Sequence, residues 1–121
     1  MGALAKNTLT FGLSAEILND LREVFSQFAD IDRVLIYGSR AHGDFRPGSD
    51  IDLAVLAPMM ETHEFSKLWM ALDDLPIIFR LDVSLHHEVA DQQLKHNMLA
   101  DGITLYQAAT NSSTSPPPSQ V

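Results

Sequence analysis

The sequence predicts a small α/β domain, because segments with helical periodicity alternate with short strand-like runs along its 121 residues. Three segments repeat apolar residues at intervals of three and four positions. Four others alternate apolar and polar residues or form short apolar runs. This length suffices for one domain with a buried core. It leaves no room for a separate substrate-binding domain, so we expect the substrate to be recognised elsewhere.

The first half of the chain predicts one helix and two strands around a glycine-serine turn. Residues 14–28 carry apolar side chains on one helical face, with a serine placed to cap the N-terminus. Residues 33–37, RVLIY, predict a buried strand that ends at Gly38 and Ser39. Residues 50–56 alternate apolar and acidic side chains before a proline ends the run. They predict a strand with one wet, acidic face.

The second half predicts two more helices and two more strands. The helices are expected at residues 61–72 and 88–101, and the strands at 79–85 and 103–106, the last at an edge of the sheet. Trp69 falls in the apolar stripe of the first of these helices. We therefore expect it to pack in the core rather than to stack on a nucleotide.

Composition and charge limit the classes of protein to which this chain can belong. We expect one domain over residues 1–107 and a disordered tail over 108–121, because that tail is uncharged and rich in Ser, Thr and Pro. A formal net charge of −8 disfavours a bulk nucleic-acid binder. No apolar run approaches the roughly 20 residues of a membrane span, and no export signal is evident, so we expect a cytoplasmic protein. Without cysteine, metal chemistry would rely on hard oxygen ligands.

One segment carries the predicted chemistry: Gly38 and Ser39, then ten residues, then Asp50 and Asp52, with Asp82 on a later strand. Gly38 can adopt backbone angles closed to other residues, and a helix beginning at Ser39 would present N–H groups and a hydroxyl to a phosphate. Asp50 and Asp52 lie two positions apart, so on a strand their carboxylates face the same side and can share a cation. The pattern predicts a site for a magnesium nucleotide.

Nucleotidyl transfer needs positioning and charge neutralisation more than covalent help from the protein. Asp50 and Asp52 would hold Mg²⁺, with two ions expected in all. Asp82 would hold the catalytic ion and lie beside the incoming hydroxyl as its base. Gly38 and Ser39 would grip the triphosphate of ATP, the expected substrate.

These residues also have purely structural interpretations. Asp50 and Asp52 would then form the solvated face of a strand, and Asp82 would be an exposed acid on an alternating one. Joined to the Gly-Ser turn, the aspartate pair is improbable as a chance match, because four fixed residues at this spacing arise in on the order of one chain per thousand. Arg40 is a candidate nucleotide-binding residue beside the turn, although surface arginines usually contact neither phosphate nor acceptor.

With Gly-Ser, ten residues and Asp-x-Asp, the chain resembles the minimal nucleotidyltransferases (MNT) of the polymerase-beta-like superfamily. The likeness covers residues 11–107 and includes the segments LSAEILNDLREVF, RVLIYGSRA, PGSDIDLAVL and LPIIFRLDVSLHHEV. It implies a mixed sheet flanked by helices, the Gly-Ser turn as the nucleotide grip, the aspartate pair as metal ligands and Asp82 as the third carboxylate. His42 stands where the family often has arginine, so nucleotide affinity or choice is expected to differ.

The resemblance also implies a partner. Such proteins are typically paired with a HEPN-domain toxin, and the family's antitoxin activity is transfer of AMP from ATP to that partner, on a tyrosine. We therefore expect a magnesium-dependent adenylyltransferase that neutralises a HEPN ribonuclease and works as a homo- or hetero-oligomer. Two alternatives stay open: a non-catalytic antitoxin that blocks the toxin by binding, and transfer to a small molecule, which normally requires an acceptor-binding domain.

Overall fold

Four strands form one mixed sheet in the part of the chain that the computed structural model describes, residues 10–46 and 48–108. The strands are β1 (Arg33–Tyr37), β2 (Ile51–Leu56), β3 (Leu81–Leu85) and β4 (Ile103–Gln107), in the spatial order β3-β2-β1-β4. Strand β1 pairs antiparallel with β2 and β4, whereas β2 and β3 run parallel. The expected mixed sheet and the edge position of the last strand are confirmed.

Four α-helices flank this sheet within the described residues. They are α1 (Ala15–Ser26), α2 (Ser39–His42), α3 (Thr62–Asp73) and α4 (Gln92–Asp101), and a single 3₁₀ turn, His86–Glu88, follows β3. The order of helices and strands along the chain agrees with the predicted α/β domain. None of these helices has the length and apolar character that crossing a membrane requires.

The sheet separates a large core from a small one. Helices α1 and α3 cover one face, where the main core gathers alternate strand residues and the apolar stripes of both helices. Helix α4 covers part of the other face, where Leu35, Ala54 and Met98 form a second cluster. Because β2 alternates, Ala54 and Asp52 belong to this second face. The acidic end of β2 therefore emerges beside α4, on the thinly covered side.

Three predicted details are corrected. The strand expected at 79–85 begins at Leu81, because its pairing with β2 begins there, at Ile51 and Leu81. The helix expected at 88–101 begins at Gln92, because the carboxylate of Asp91 caps it by accepting from the N–H groups of the second and third helical residues, at 3.0 and 3.2 Å. Trp69 is 38% exposed and belongs to neither core, so the prediction of core packing is wrong.

Two parts of the domain prediction lie outside the described residues. The first nine residues of the expected domain and all but the first residue of the expected tail, 109–121, are not described. The tail therefore stays a prediction.

Candidate nucleotide site

Strand pairing places Tyr37, Asp52 and Asp82 side by side at one end of the sheet. Asp52 on β2 is opposite Tyr37 on β1 and in register with Asp82 on the parallel strand β3. Paired residues project from the same face of a sheet, so the two carboxylates are neighbours. Asp50 lies just before β2, two positions from Asp52 and close enough for its charge to act on that carboxylate. The three predicted aspartates, which we call the aspartate site, are thus brought together.

The Gly-Ser turn lies against this site. Gly38 has φ +77°, and an added Cβ would stand 2.6 Å from Oδ2 of Asp52, so both the backbone angle and the close approach require glycine. Helix α2 begins at Ser39 and is four residues long. Its first hydrogen bonds run from the N–H groups of Ala41 and His42 to the carbonyl oxygen of Gly38, both at 3.1 Å. The N–H groups before them precede the helical ladder, where a phosphate can accept from them.

Burial and mutual repulsion oppose ionisation of Asp52. Burial raises the pKa of its carboxyl above the usual range, the charges of Asp82 and Asp50 raise it further, and Arg40 partly offsets these effects. Burial and the charges of Asp82 and Asp52 also raise the pKa of Tyr37 to about 12, so its hydroxyl stays protonated at neutral pH. A cation at this point would relieve the repulsion among the carboxylates.

Whether Mg²⁺ fits the aspartate site depends on the oxygen ligands that a bound nucleotide and water would add to those of the protein. Among residues 10–46 and 48–108, no three His, Cys, Asp or Glu side chains are arranged as a ready-made set of metal ligands. Mg²⁺ is usually held by one or two carboxylates together with waters and substrate phosphates, rather than by an all-protein cage. The oxygen donors of Asp50, Asp52 and Asp82 beside a phosphate-suited turn fit an ion of this kind.

Arg40 does not face the open side of the site. It is 2% exposed, and its guanidinium donates to carbonyl oxygens of the protein's own backbone. A guanidinium occupied in this way offers no surface to a phosphate, so its position does not match the predicted nucleotide contact. This burial could not be predicted from the sequence, because an arginine directly after a Gly-Ser turn is typical of a surface residue.

Two other residues define the surroundings of the site. Tyr37 was not among the predicted site residues, although its place at the end of β1, just before Gly38, is visible in the sequence. His42 is exposed, and its Nε2 lies 3.6 Å from Oδ2 of Asp101 at the end of α4. This surface pair connects the short helix α2 with α4 and contributes about 1 kcal/mol at most.

One protein-family model matches the sequence of this chain. The family model described as "Polymerase beta, Nucleotidyltransferase" matches residues 19–111, which include the turn and all three aspartates. No curated protein matches the chain at a significant level.

Several solved structures share the fold. A toxin-antitoxin crystal structure with AMP-PNP has a TM-score of 0.56 and 23% sequence identity, covering 78% of this chain and 76% of the other. A candidate nucleotidyltransferase from Sulfolobus solfataricus has a TM-score of 0.52 and 20% identity, covering 88% of each chain. The toxin-antitoxin MntA-HepT has a TM-score of 0.51 and 19% identity, covering 82% of this chain and 77% of the other. At these identities the likeness is one of fold.

Proposed function

Because this chain belongs to the polymerase beta nucleotidyltransferase family, we propose that it transfers AMP from ATP to a tyrosine hydroxyl of a HEPN ribonuclease toxin and so acts as its antitoxin. The observation that carries the proposal is the register of Asp52 with Asp82 beside Gly38. Among proteins of the same fold, one toxin-antitoxin was crystallised with AMP-PNP and another is MntA-HepT. These neighbours support ATP as the substrate and a toxin as the partner.

Each residue of the site has a distinct task in this reaction. Asp50 and Asp52 would hold Mg²⁺, which when bound would neutralise charge on the triphosphate. The backbone at Gly38 and Ser39 orients the phosphates. Asp82 accepts the proton of the acceptor hydroxyl, whose oxygen bonds to the α-phosphorus while the bond to the β-phosphate's bridging oxygen breaks and pyrophosphate leaves.

The test is label transfer from α-³²P-ATP to the candidate HEPN partner with Mg²⁺. We expect label on the partner with the native chain and at least a 100-fold lower rate with Asp52→Asn, because a metal ligand is lost. Asp30→Asn is the matched control: this exposed acid lies before β1, at the opposite end of the sheet, and the rate should be unchanged. The absence of label on the partner after incubation with α-³²P-ATP and Mg²⁺ would refute the proposal.

A double variant of Asp50 and Asp52 separates catalysis from simple binding. If the double variant Asp50→Asn/Asp52→Asn still suppresses the ribonuclease activity of the partner at equimolar concentration, the chain acts as a binding antitoxin. If suppression by the native chain requires both ATP and Mg²⁺ and is lost in the double variant, neutralisation is enzymatic.

A further inference from the structure

Arg40 is a buried cation held by backbone carbonyl groups. Its Nη1 donates to the carbonyl oxygen of Phe11 at 2.8 Å. Its Nη2 and Nε donate to that of Ser49 at 2.8 and 3.2 Å, and Nε also approaches that of Asp50 at 3.3 Å. Within the described residues, no carboxylate comes within 4.0 Å to form an ion pair with it. Burying a charge in this way costs free energy that the carbonyl dipoles must offset.

Two aromatic rings cover the guanidinium. Its central carbon lies 5.0 Å from the ring centroid of Phe45 and 4.8 Å from that of Phe79, within the range of cation–π attraction. A planar guanidinium can stack on rings with its faces while its edge donates to carbonyl groups, which an ammonium cannot do. The environment therefore selects arginine and not merely a positive charge.

These contacts connect the separate pieces of the aspartate site. Arg40 lies on α2, directly after the Gly-Ser turn. The Ser49 and Asp50 carbonyl groups belong to the segment that enters β2, and Phe79 belongs to the segment that enters β3. Asp50 lies just outside the paired residues of β2; the N–H of Ile51 donates to the carbonyl oxygen of Arg80 at 2.8 Å, and Arg40 holds the carbonyl groups of Ser49 and Asp50 on the same segment. One side chain thus fixes the turn, the first aspartate and the approach to Asp82 relative to one another.

We propose that Arg40 is a positioning residue, which sets the place of the Asp50 carboxylate relative to Asp52 and thereby the affinity of the site for Mg²⁺ in the presence of nucleotide. This inference rests on the proposed function, since it assumes a magnesium nucleotide at the aspartate site. Substitution of a residue that orients metal ligands without contacting the metal typically lowers metal affinity by about 10- to 100-fold.

The test is calorimetric titration of Mg²⁺ into the chain saturated with AMP-PNP. Arg40→Lys keeps the charge but loses the bonds to Ser49 and Phe11, so we expect Mg²⁺ affinity to fall by about 10- to 100-fold. Arg22→Lys is the matched control, because Nε of Arg22 also donates to a backbone carbonyl oxygen, that of Leu105 at 2.8 Å, and ties α1 to β4. Because Arg22 is exposed and makes this one bond, Arg22→Lys should lose less stability than Arg40→Lys and keep native Mg²⁺ affinity.

The outcomes separate this inference from the proposed function. If the native chain binds no Mg²⁺ with AMP-PNP, the proposed function fails. If the native chain binds and folded Arg40→Lys binds within two-fold of it, or if Arg22→Lys loses as much affinity, the role of Arg40 is refuted. Should Arg40→Lys not fold, Phe79→Leu decides: it keeps every hydrogen bond of the guanidinium and removes one ring. We expect a several-fold loss of Mg²⁺ affinity, and native affinity would refute the proposal.

Discussion

At the scale of single residues, Asp52 is held where ionisation is unfavourable. Its neighbours are two other acids, and part of its surface is removed from water. A carboxyl whose pKa is raised in the folded state binds its proton more tightly there than in the unfolded chain. Its contribution to stability is therefore fully present below the ordinary pKa and is lost as pH rises through the raised value. Without a cation, the ionised site destabilises the fold, as is common where function requires like charges together.

Asp52→Asn is accordingly expected to stabilise the metal-free protein at pH 7. The amide removes the repulsion from Asp82 and Asp50 while keeping the shape of the side chain. We expect the melting temperature to rise by about 3 °C at pH 7, corresponding to somewhat under 1 kcal/mol, and the gain to shrink below pH 4, where the native carboxyl is protonated. Calorimetric melting at pH 7 and at a pH below 4 checks this prediction. A gain that is equal at both pH values, or a loss at pH 7, would contradict it.

At the scale of elements, the connection from β1 to α2 is the most constrained piece of backbone in the site. Gly38 in this connection has a φ of +77°, which suits glycine, and the absence of a side chain there leaves room for the Asp52 carboxylate. The same turn ends the strand that carries Tyr37 and begins the helix at Ser39. A change there alters the metal ligand and the phosphate grip together.

Gly38→Ala should therefore lower the free energy of unfolding by about 2 to 3 kcal/mol, because its φ of +77° and ψ of −151° lie in a region essentially confined to glycine and its added Cβ would collide with Asp52. Gly43→Ala provides the comparison: its φ of +90° and ψ of 3° lie in the left-handed region that other residues can adopt, and nothing lies within 4 Å of its added Cβ. It should cost only the backbone term, about 1 kcal/mol, which urea unfolding of both variants can measure. Equal losses in the two variants would contradict the larger cost expected at Gly38.

At the scale of the whole molecule, the chain is strongly acidic, with a formal net charge of −8. Part of that charge is concentrated in the aspartate site. Binding of Mg²⁺ with a nucleotide would remove this local repulsion and stabilise the native state by mass action. General screening by salt would weaken long-range repulsion without acting at any one site.

We expect saturating Mg²⁺ with AMP-PNP to raise the melting temperature by about 10 °C, the shift that about 2.7 kcal/mol produces in a domain of this size when the ligand is at 100 times its Kd. Asp52→Asn should show little of this shift. NaCl at the same ionic strength is the control for screening. An equal shift with NaCl, or with Asp52→Asn, would contradict specific binding at the aspartate site.

Local patterns predicted most of the elements and some of their limits. Strand β1 has the predicted bounds, and β2 begins one residue later than expected. The predictions failed where the structure depends on contacts between segments that are distant in the sequence. Trp69 follows the apolar period of α3 but remains partly exposed, because periodicity assigns a face only approximately and the neighbouring segments determine how much of it is covered. The start of β3 depends on where β2 begins, because the two strands are parallel and their first residues, Ile51 and Leu81, are paired.

The sequence by itself determined the alternation of helices and strands, the Gly-Ser turn and the spacing of Asp50 and Asp52, because each of these depends on residues close together in the chain. Only the tertiary structure decided that Asp82 is next to Asp52, since that follows from parallel pairing of strands separated by a helix. It also decided that Arg40 lies buried behind the site. Strand order and burial arise from packing between distant segments, which no local period encodes.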